Sequence, residues 1–244
     1  MANLSRYLRA IATVVLLSLL STNIVHAQKF TPEFQTVEIN SGIRDRCTVH
    51  IKYLRIVNKS NNSALTKINR ANRIDAINKK AASSSDEIAV KGIATRMLDY
   101  YYDDMMNIPE YDASQTAHTV RNGKYVVFTT RIYEYMGGAH GYYCDKHSIY
   151  DLRTGDRLDL SYIATGSWED NVKQQLHNRY RQKFGDQSSM DSYSNMPLPS
   201  TFELTDRGVA FVFQPYEIAC YSMGIIRFEF TDAELTEMGV PIRW

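Results

Sequence analysis

Apolar and polar residues alternate along the segment Gln35–Ile56, near the start of the chain. Val37 and Ile39 stand between polar neighbours, and the same every-second-residue pattern continues at Cys47, Val49, Ile51 and Tyr53. Because successive side chains of a strand point to opposite faces of its sheet, the alternation predicts strands with one buried face.

The spacing of apolar residues then changes to three or four positions, which is typical of amphipathic helices. One helix is predicted over 63–82. A second begins at Asp86, whose side chain is suited to capping it, and ends before Pro109. A third is predicted from Ser167, which opens a sequence resembling a capping box, to Gly185. The three apolar stripes are Leu65, Ile68, Ala71, Ile74 and Ile77; Ile93, Met97, Tyr101 and Met105; and Trp168, Val172, Leu176, Tyr180 and Phe184.

Short turn sequences between strand-like runs predict hairpins in the second half of the chain. Asn122-Gly123 can adopt the positive φ angles of a type I′ turn between Ala117–Arg121 and Lys124–Met136. Further strands are predicted at Tyr142–Tyr150, Leu158–Leu160, Phe202–Leu204, Val209–Phe213 and Ile226–Phe230, with a helical turn at Asp232–Met238. Hairpins with helices grouped between them indicate an α+β fold, with an antiparallel sheet built from hairpins and three main amphipathic helices.

Residues 1–27 have the features of a secretory signal peptide. Arg6 and Arg9 precede an apolar stretch at 10–20, and Val25-His26-Ala27 places small residues at the positions that signal peptidase reads. The apolar stretch is shorter than the roughly 20 residues that a membrane-spanning helix needs. We therefore expect an exported protein, periplasmic or secreted, that begins at Gln28 and has no membrane span after cleavage. An uncleaved signal anchor is the alternative.

Composition and short motifs exclude several classes of protein. The 244 residues are 44% hydrophobic and 23% charged, as in ordinary globular proteins. Basic and acidic residues number 28 and 27, so we expect no nucleic-acid partner. The sequence contains no Gly-x-Gly-x-x-Gly or Walker motif for phosphates, no Gly-x-Ser-x-Gly elbow and no Cys-x-x-Cys pair for zinc. No cofactor is therefore expected.

Two stretches of the second half resemble a known family. The first is Gly-Gly-Ala-His-Gly at 137–141, followed by an aromatic-rich strand that ends in Tyr-Asp-Leu-Arg-Thr-Gly at 150–155. The second runs over 202–224 and contains Pro-Tyr-Glu-Ile-Ala. Together they resemble the RsiV-type extracytoplasmic domain, domain of unknown function 3298. Residues 36–112 more loosely resemble its companion, domain of unknown function 4163, so we divide the chain after the signal peptide into 28–112 and 113–244.

The resemblance implies a role outside the cytoplasm of bacteria. Such domains occur as the lysozyme-sensing ectodomain of an anti-sigma factor and beside polysaccharide deacetylase domains. This sequence shows no sigma-binding segment and no deacetylase domain, so we expect a non-enzymatic binding module of the cell envelope. Its partner would be an envelope protein such as lysozyme, or a cell-wall glycan. The alternative is a hydrolase of wall polysaccharides that uses Glu134 and Glu217 as an acid–base pair.

The chain contains three cysteines, Cys47, Cys144 and Cys220. An oxidising compartment makes one disulfide plausible, with three possible pairings. Cys144 and Cys220 each lie next to one of the two resembling stretches, whose strands are expected to lie close together in the fold of that family. The resemblance thus predicts a Cys144–Cys220 disulfide, with Cys47 free and buried.

A candidate binding surface lies where the two resembling stretches are expected to meet. Gly137 and Gly138 are expected to form a constrained turn, and a strand is expected to stop at Pro215. Gly224 is the last structural position of the second stretch. Its binding candidates are His140, Tyr216, Glu217 and Tyr221. These side chains combine aromatic area with charge, as recognition sites do. The alternative is that both segments are folding motifs, with Glu217 holding backbone amides.

Two other groups of residues could carry chemistry. His140 and the stretch 144–147, which contains a cysteine, an aspartate and a histidine, resemble a metal cluster. Alternation in a strand would place Cys144 on the side opposite to Asp145 and His147, so no metal site is predicted. Tyr100 and Tyr102 could be exposed aromatics for sugar stacking, although an ordinary helix surface is the favoured interpretation.

Overall fold

A computed structural model of the chain describes residues 30–43, 46–78, 82–101, 107–159, 168–185, 195–242 and 244. Thr31–Trp244 form one compact unit. The predicted signal peptide, Tyr102, Met105, Leu160, Ser167 and most of the residues between 186 and 200 lie outside the described residues. Predictions at those positions stay predictions.

The described residues include a six-stranded sheet whose strands lie in chain order. They are β1 (Phe34–Ile43), β2 (Cys47–Ile56), β3 (Glu110–Val120), β4 (Tyr125–Tyr135), β5 (Tyr142–Asp151) and β6 (Arg157–Leu158). Neighbouring strands are antiparallel except β2 and β3, which run parallel. The antiparallel prediction is corrected at this pair, because the chain between β2 and β3 crosses over through two helices and not through a hairpin.

These crossover helices, α1 (Ser63–Ala76) and α2 (Asp86–Tyr100), pack on one face of the six-stranded sheet. Asn62 caps α1, which ends at Ala76 and not at residue 82. Ser85 caps α2, whereas Asp86 is its first residue. The predicted capping role of Asp86 is wrong because the Ser85 side chain accepts the hydrogen bond from the Ile88 amide. The Asp86 carboxylate instead accepts one from Arg73 Nε at 2.5 Å.

The other face of the sheet packs against α3 (Glu169–Phe184) and a second, antiparallel sheet. The strands of that sheet are β7 (Thr201–Leu204), β8 (Gly208–Phe213) and β9 (Ile226–Thr231), and α4 (Asp232–Glu237) follows. Every residue of the central strand β8 is buried. Large apolar side chains from both sheets and α3 therefore share one core, which includes Tyr125, Leu176, Phe211 and Phe230.

Local predictions of turns agree with the structure. Asn122 and Gly123 have φ angles of 56° and 80°, and the Lys124 amide donates to the Arg121 carbonyl at 3.1 Å, as a type I′ turn requires. Gly185 ends α3 with a φ of 78°. The α+β fold class is confirmed by the two sheets and their packed helices.

The division of the chain into 28–112 and 113–244 stays a prediction. It falls within β3, which pairs with β2 from the first part and with β4 from the second, so the two parts share one sheet. None of the described helices is long and apolar enough to cross a membrane.

Candidate functional site

The turn between β4 and β5 lies against residues 215–224, the segment that connects β8 to β9. The His140 ring stacks on the Tyr221 ring, with centroids 4.2 Å apart and planes inclined by 23°. The Tyr221 hydroxyl donates to the Gly141 carbonyl at 2.8 Å. Tyr143 meets the Tyr221 ring edge-on, with centroids 5.5 Å apart. The two sequence motifs therefore meet around Tyr221.

Backbone geometry makes the β4–β5 turn specific for glycine. Gly137 and Gly138 have φ angles of 93° and 87°, a region that residues with a Cβ rarely adopt. A Cβ on Gly141 would lie 2.5 Å from the Tyr133 ring. The turn that presents His140 is thus constrained by its backbone and by close packing.

Tyr216 extends the ring stack towards solvent. Its ring centroid lies 5.6 Å from that of Tyr221, and 59% of the residue is exposed. Its φ is 74°, in the left-handed region that costs a residue with a Cβ about 1–2 kcal/mol. Strain of this kind is concentrated at functional sites, so the ring is a candidate for recognition. We call His140, Tyr143, Tyr216 and Tyr221 the aromatic junction.

Glu217 holds the backbone of its own segment in place. Its Oε2 accepts a hydrogen bond from the Gln214 amide at 2.8 Å, and its Oε1 accepts one from the Ser200 hydroxyl at 2.8 Å. The Glu217 amide in turn donates to the Gln214 carbonyl at 3.1 Å. The contacts of Glu217 therefore fit the alternative interpretation, in which this residue holds backbone amides and has a folding role.

All three cysteines are free, so the predicted Cys144–Cys220 disulfide is not formed. The physical reason lies in the alternation along β5. Tyr143 faces Tyr221 and hence the segment that contains Cys220, whereas Cys144 points to the opposite face and packs with the core beneath α2. Cys47 is free and only 2% exposed, as predicted.

The polar residues of β5 are used for pairing across the sheet. Arg131 donates to both carboxylate oxygens of Asp145, each at 2.8 Å. His147 Nδ1 lies 3.0 Å from the Thr129 hydroxyl, and burial lowers the pKa of His147 below its ordinary value. Among the described residues, no three His, Cys, Asp or Glu side chains are placed to hold a metal ion.

A groove that sequence reasoning missed lies between the helices α1 and α2 and the strands β3–β5. Its volume is about 1040 Å³, at the upper end of the range for small-molecule sites. The apolar side chains of the groove are Ile74, Ile77, Ile93, Tyr111 and Ile132. Its polar rim includes Asp75, Arg96, Glu134, Tyr142, Lys146 and Arg157. The groove was missed because these residues come from several elements, each of which reads as an ordinary helix or strand.

Asp75 is the most heavily bonded carboxylate of the groove. Its Oδ1 accepts a hydrogen bond from Arg157 Nη1 at 2.9 Å. Its Oδ2 accepts from the hydroxyls of Ser148 at 2.8 Å and Tyr150 at 2.6 Å. Burial, together with the Asp75 charge, raises the pKa of Tyr150 above its ordinary value, so this hydroxyl remains a donor.

The two carboxylates of the hydrolase alternative belong to different segments of the chain. Glu134 lines the groove, where its Oε1 lies 2.5 Å from Arg96 Nη2, while Glu217 lies in the segment 215–224. Burial and the nearby Glu134 charge raise the pKa of Tyr111 to about 12. Glu134 and Glu217 each accept hydrogen bonds from neighbouring side chains or backbone, which is typical of structural carboxylates.

Comparison with known proteins finds that part of this chain is similar to a family of unknown function. Residues 163–232 match the family model described as protein of unknown function (DUF3298). That range contains Tyr216 and Tyr221, whereas His140 and the residues named for the groove lie before it. The chain matches no curated protein.

Two solved structures share the fold. A member of the DUF3298 family from Bacteroides fragilis NCTC 9343 is 18% identical with a TM-score of 0.67, and the match covers 86% of this chain and 94% of that one. A DUF3298 family protein from Pseudomonas aeruginosa PAO1 is 16% identical with a TM-score of 0.63, and the match covers 88% of this chain and 99% of that one. At these identities, the comparison concerns the fold alone.

Proposed function

We propose that this chain is an exported, non-enzymatic binding protein of the bacterial cell envelope, and that the aromatic junction binds cell-wall glycan. The DUF3298 match over 163–232 supports a relationship with that family but indicates no activity. The RsiV-type relationship, and the looser one between 36–112 and domain of unknown function 4163, are part of this proposal.

The exposed ring of Tyr216 carries the proposal. A tyrosine held at a φ of 74° with 59% of its surface in solvent gains little from packing, yet its backbone is strained. Its ring presents an apolar face and a hydroxyl to solvent. Sugar rings have the complementary character, because their C–H faces are apolar and their edges carry hydroxyls.

The junction is also ordered before any ligand binds. The His140 ring is stacked on Tyr221, whose hydroxyl is fixed on the Gly141 carbonyl. A platform that is already rigid loses little side-chain entropy on binding, so weak stacking contacts can contribute fully to affinity.

Sedimentation with purified, insoluble peptidoglycan tests the proposal. We expect the wild-type chain to sediment with the polymer and Tyr216→Gly to bind at least about fivefold more weakly, a loss of about 1 kcal/mol. Glycine removes the ring and also suits the positive φ, so the variant should fold. The matched control is Tyr100→Ala, which removes a tyrosine that is 72% exposed on α2 and should leave binding unchanged.

Three outcomes would replace the proposal. Equal losses in Tyr216→Gly and Tyr100→Ala would indicate non-specific adhesion of aromatic side chains. Capture of lysozyme by the junction, with no binding to peptidoglycan, would identify a protein partner. Release of soluble fragments from peptidoglycan that is abolished by Glu134→Gln or Glu217→Gln would identify a hydrolase.

A further inference from the structure

The groove beneath α1 and α2 carries one positive charge that no neighbour compensates. Arg157 pairs with Asp75, and Arg96 pairs with Glu134. Lys146 is exposed at the rim and has no ion-pair partner among the described residues. A ligand with a single negative charge would therefore complete the charge balance at the rim.

The interior of the same groove is apolar and open. Isoleucine side chains from both α1 and β4, together with the Tyr111 ring, form its surface. Gly92 lines it from within α2, a position where glycine is less favourable for the helix than alanine. A larger side chain at this position would extend into the groove that Gly92 and Ile93 line together.

The polar groups also define a direction along the groove. Tyr142, Cys144 and Lys146 share one face of β5, which at about 3.4 Å per residue places Lys146 roughly 14 Å from Tyr142. Tyr142 lies opposite Glu134 in the pairing of β4 with β5, so a carboxylate already lies near that end of the groove. An anionic head is thus favoured at Lys146 and an apolar tail towards Tyr142.

We propose that the groove binds a long-chain monocarboxylate, with its carboxylate on Lys146 and its acyl chain over Cys144 and Tyr111. An extended dodecanoate chain has a length similar to the distance between Lys146 and Tyr142. The volume of about 1040 Å³ accommodates such a ligand. This site is separate from the aromatic junction. The proposal for the groove therefore does not depend on whether the junction binds glycan.

The three cysteines provide a readout within the full chain. Cys144 lines the groove, Cys220 is exposed in the segment 215–224, and Cys47 is buried. The probe is dodecanoate, kept below its micelle concentration. We expect it to slow alkylation of Cys144 by iodoacetamide at least about fivefold while alkylation of Cys220 is unchanged. Dodecylammonium and dodecanol at the same concentration should protect Cys144 much less, because neither has a negative charge to pair with Lys146.

Two variants test the contacts separately. Lys146→Gln should weaken protection by dodecanoate about tenfold, equal to about 1.4 kcal/mol. Its control is Lys52→Gln, an exposed lysine on the opposite face of β2, which should have no effect. Gly92→Leu fills the groove with a good helix former and should abolish protection while circular dichroism remains unchanged.

The proposal is overturned if dodecanoate leaves the Cys144 rate unchanged. It is also overturned if dodecylammonium or dodecanol protects equally, or if Lys52→Gln weakens protection as much as Lys146→Gln. Protection that survives in a folded Gly92→Leu variant would place the ligand outside the groove. If Gly92→Leu does not fold, the comparison of the two lysine variants still decides the question.

Discussion

The side chain of Gln214 pairs with the backbone of Asp145 as a neighbouring strand would. Its Oε1 accepts a hydrogen bond from the Asp145 amide at 2.8 Å, and its Nε2 donates to the Asp145 carbonyl at 2.9 Å. β6 pairs only with Ile149 and Tyr150, so within the described residues no strand is paired with the outer edge of β5 at Asp145. Two residues further on, the His147 amide donates to the Thr201 hydroxyl of β7 at 3.2 Å. The side chains of Gln214 and Thr201 therefore join the second sheet to the edge of the first.

We expect Gln214→Ala to lower the free energy of unfolding by about 2 kcal/mol, because two backbone groups lose a hydrogen bond worth about 1 kcal/mol each. Urea denaturation measures the change. Gln35→Ala is the control, since Gln35 is exposed on β1 and its loss should change stability by less than about 0.5 kcal/mol. Equal effects of the two substitutions would show that water replaces the Gln214 contacts at no cost.

The strain at Tyr216 predicts an order of stability among its variants. Tyr216→Gly and Tyr216→Ala both remove the ring, but only glycine adopts a φ of 74° without strain. We expect the glycine variant to be about 1 kcal/mol more stable than the alanine variant. Thermal denaturation compares them directly. Equal midpoints would mean that the segment relaxes to a negative φ once the ring is gone.

A pH-dependent contribution to stability is predicted at Asp232. Its carboxylate accepts hydrogen bonds from Arg121 and from Trp244 Nε1, the latter at 3.0 Å. Burial alone would raise the pKa of Asp232, but these bonds and the Arg121 charge outweigh it and lower the pKa below its ordinary value. The folded state thus binds this proton less readily than the unfolded state does.

The stabilisation from Asp232 is therefore complete above the ordinary aspartate pKa of about 3.9 and is lost as the pH falls through the lower folded-state pKa. We expect Asp232→Asn to be less stable than wild type at pH 7, with a difference that narrows below about pH 4. Denaturant titrations at several pH values measure this difference. A gap that is independent of pH would contradict the assignment.

The three thiols should react in a fixed order in the native protein. A hydrogen bond with the Ser222 hydroxyl, with contributions from backbone amides, lowers the pKa of the exposed Cys220 thiol. Burial raises the pKa of Cys144. Because the thiolate is the reactive form, iodoacetamide should modify Cys220 first, Cys144 more slowly, and the buried Cys47 last, when the protein opens. Mass spectrometry follows the order, and a Cys144–Cys220 bridge in non-reducing maps would contradict it.

Much of the secondary structure could be predicted from the sequence because it follows from local patterns. The alternation at Val49 and Ile51 and the turn at Asn122-Gly123 each depend on a few neighbouring residues, and the structure has a strand and a hairpin there. The parallel pairing of β2 with β3 depends on how two helices fold over the sheet. No local pattern encodes that choice.

One part of the candidate site could be predicted from the sequence, and the other could not. The resemblance to a known family predicted that the stretches containing His140 and Tyr221 lie close together. In the structure these two rings are stacked. The groove has no motif, because the pairing of Asp75 with Arg157 joins residues 82 positions apart. The sequence contains two local signs of the groove. One is Gly92, a glycine inside a predicted helix, and the other is Lys146, which lies on the same face of β5 as Cys144.

The parallel pairing of β2 with β3, which we call the seam, has a consequence for the order of folding. Each hairpin of the six-stranded sheet closes over a short turn, but the seam can form only after the chain through α1 and α2 has folded back on itself. Contacts that span long loops lose more chain entropy and form more slowly than local ones. We therefore expect the β3–β4–β5 meander to form first and the β1–β2 hairpin to dock onto it late. Partial opening of the native protein should begin along this seam and expose Cys47.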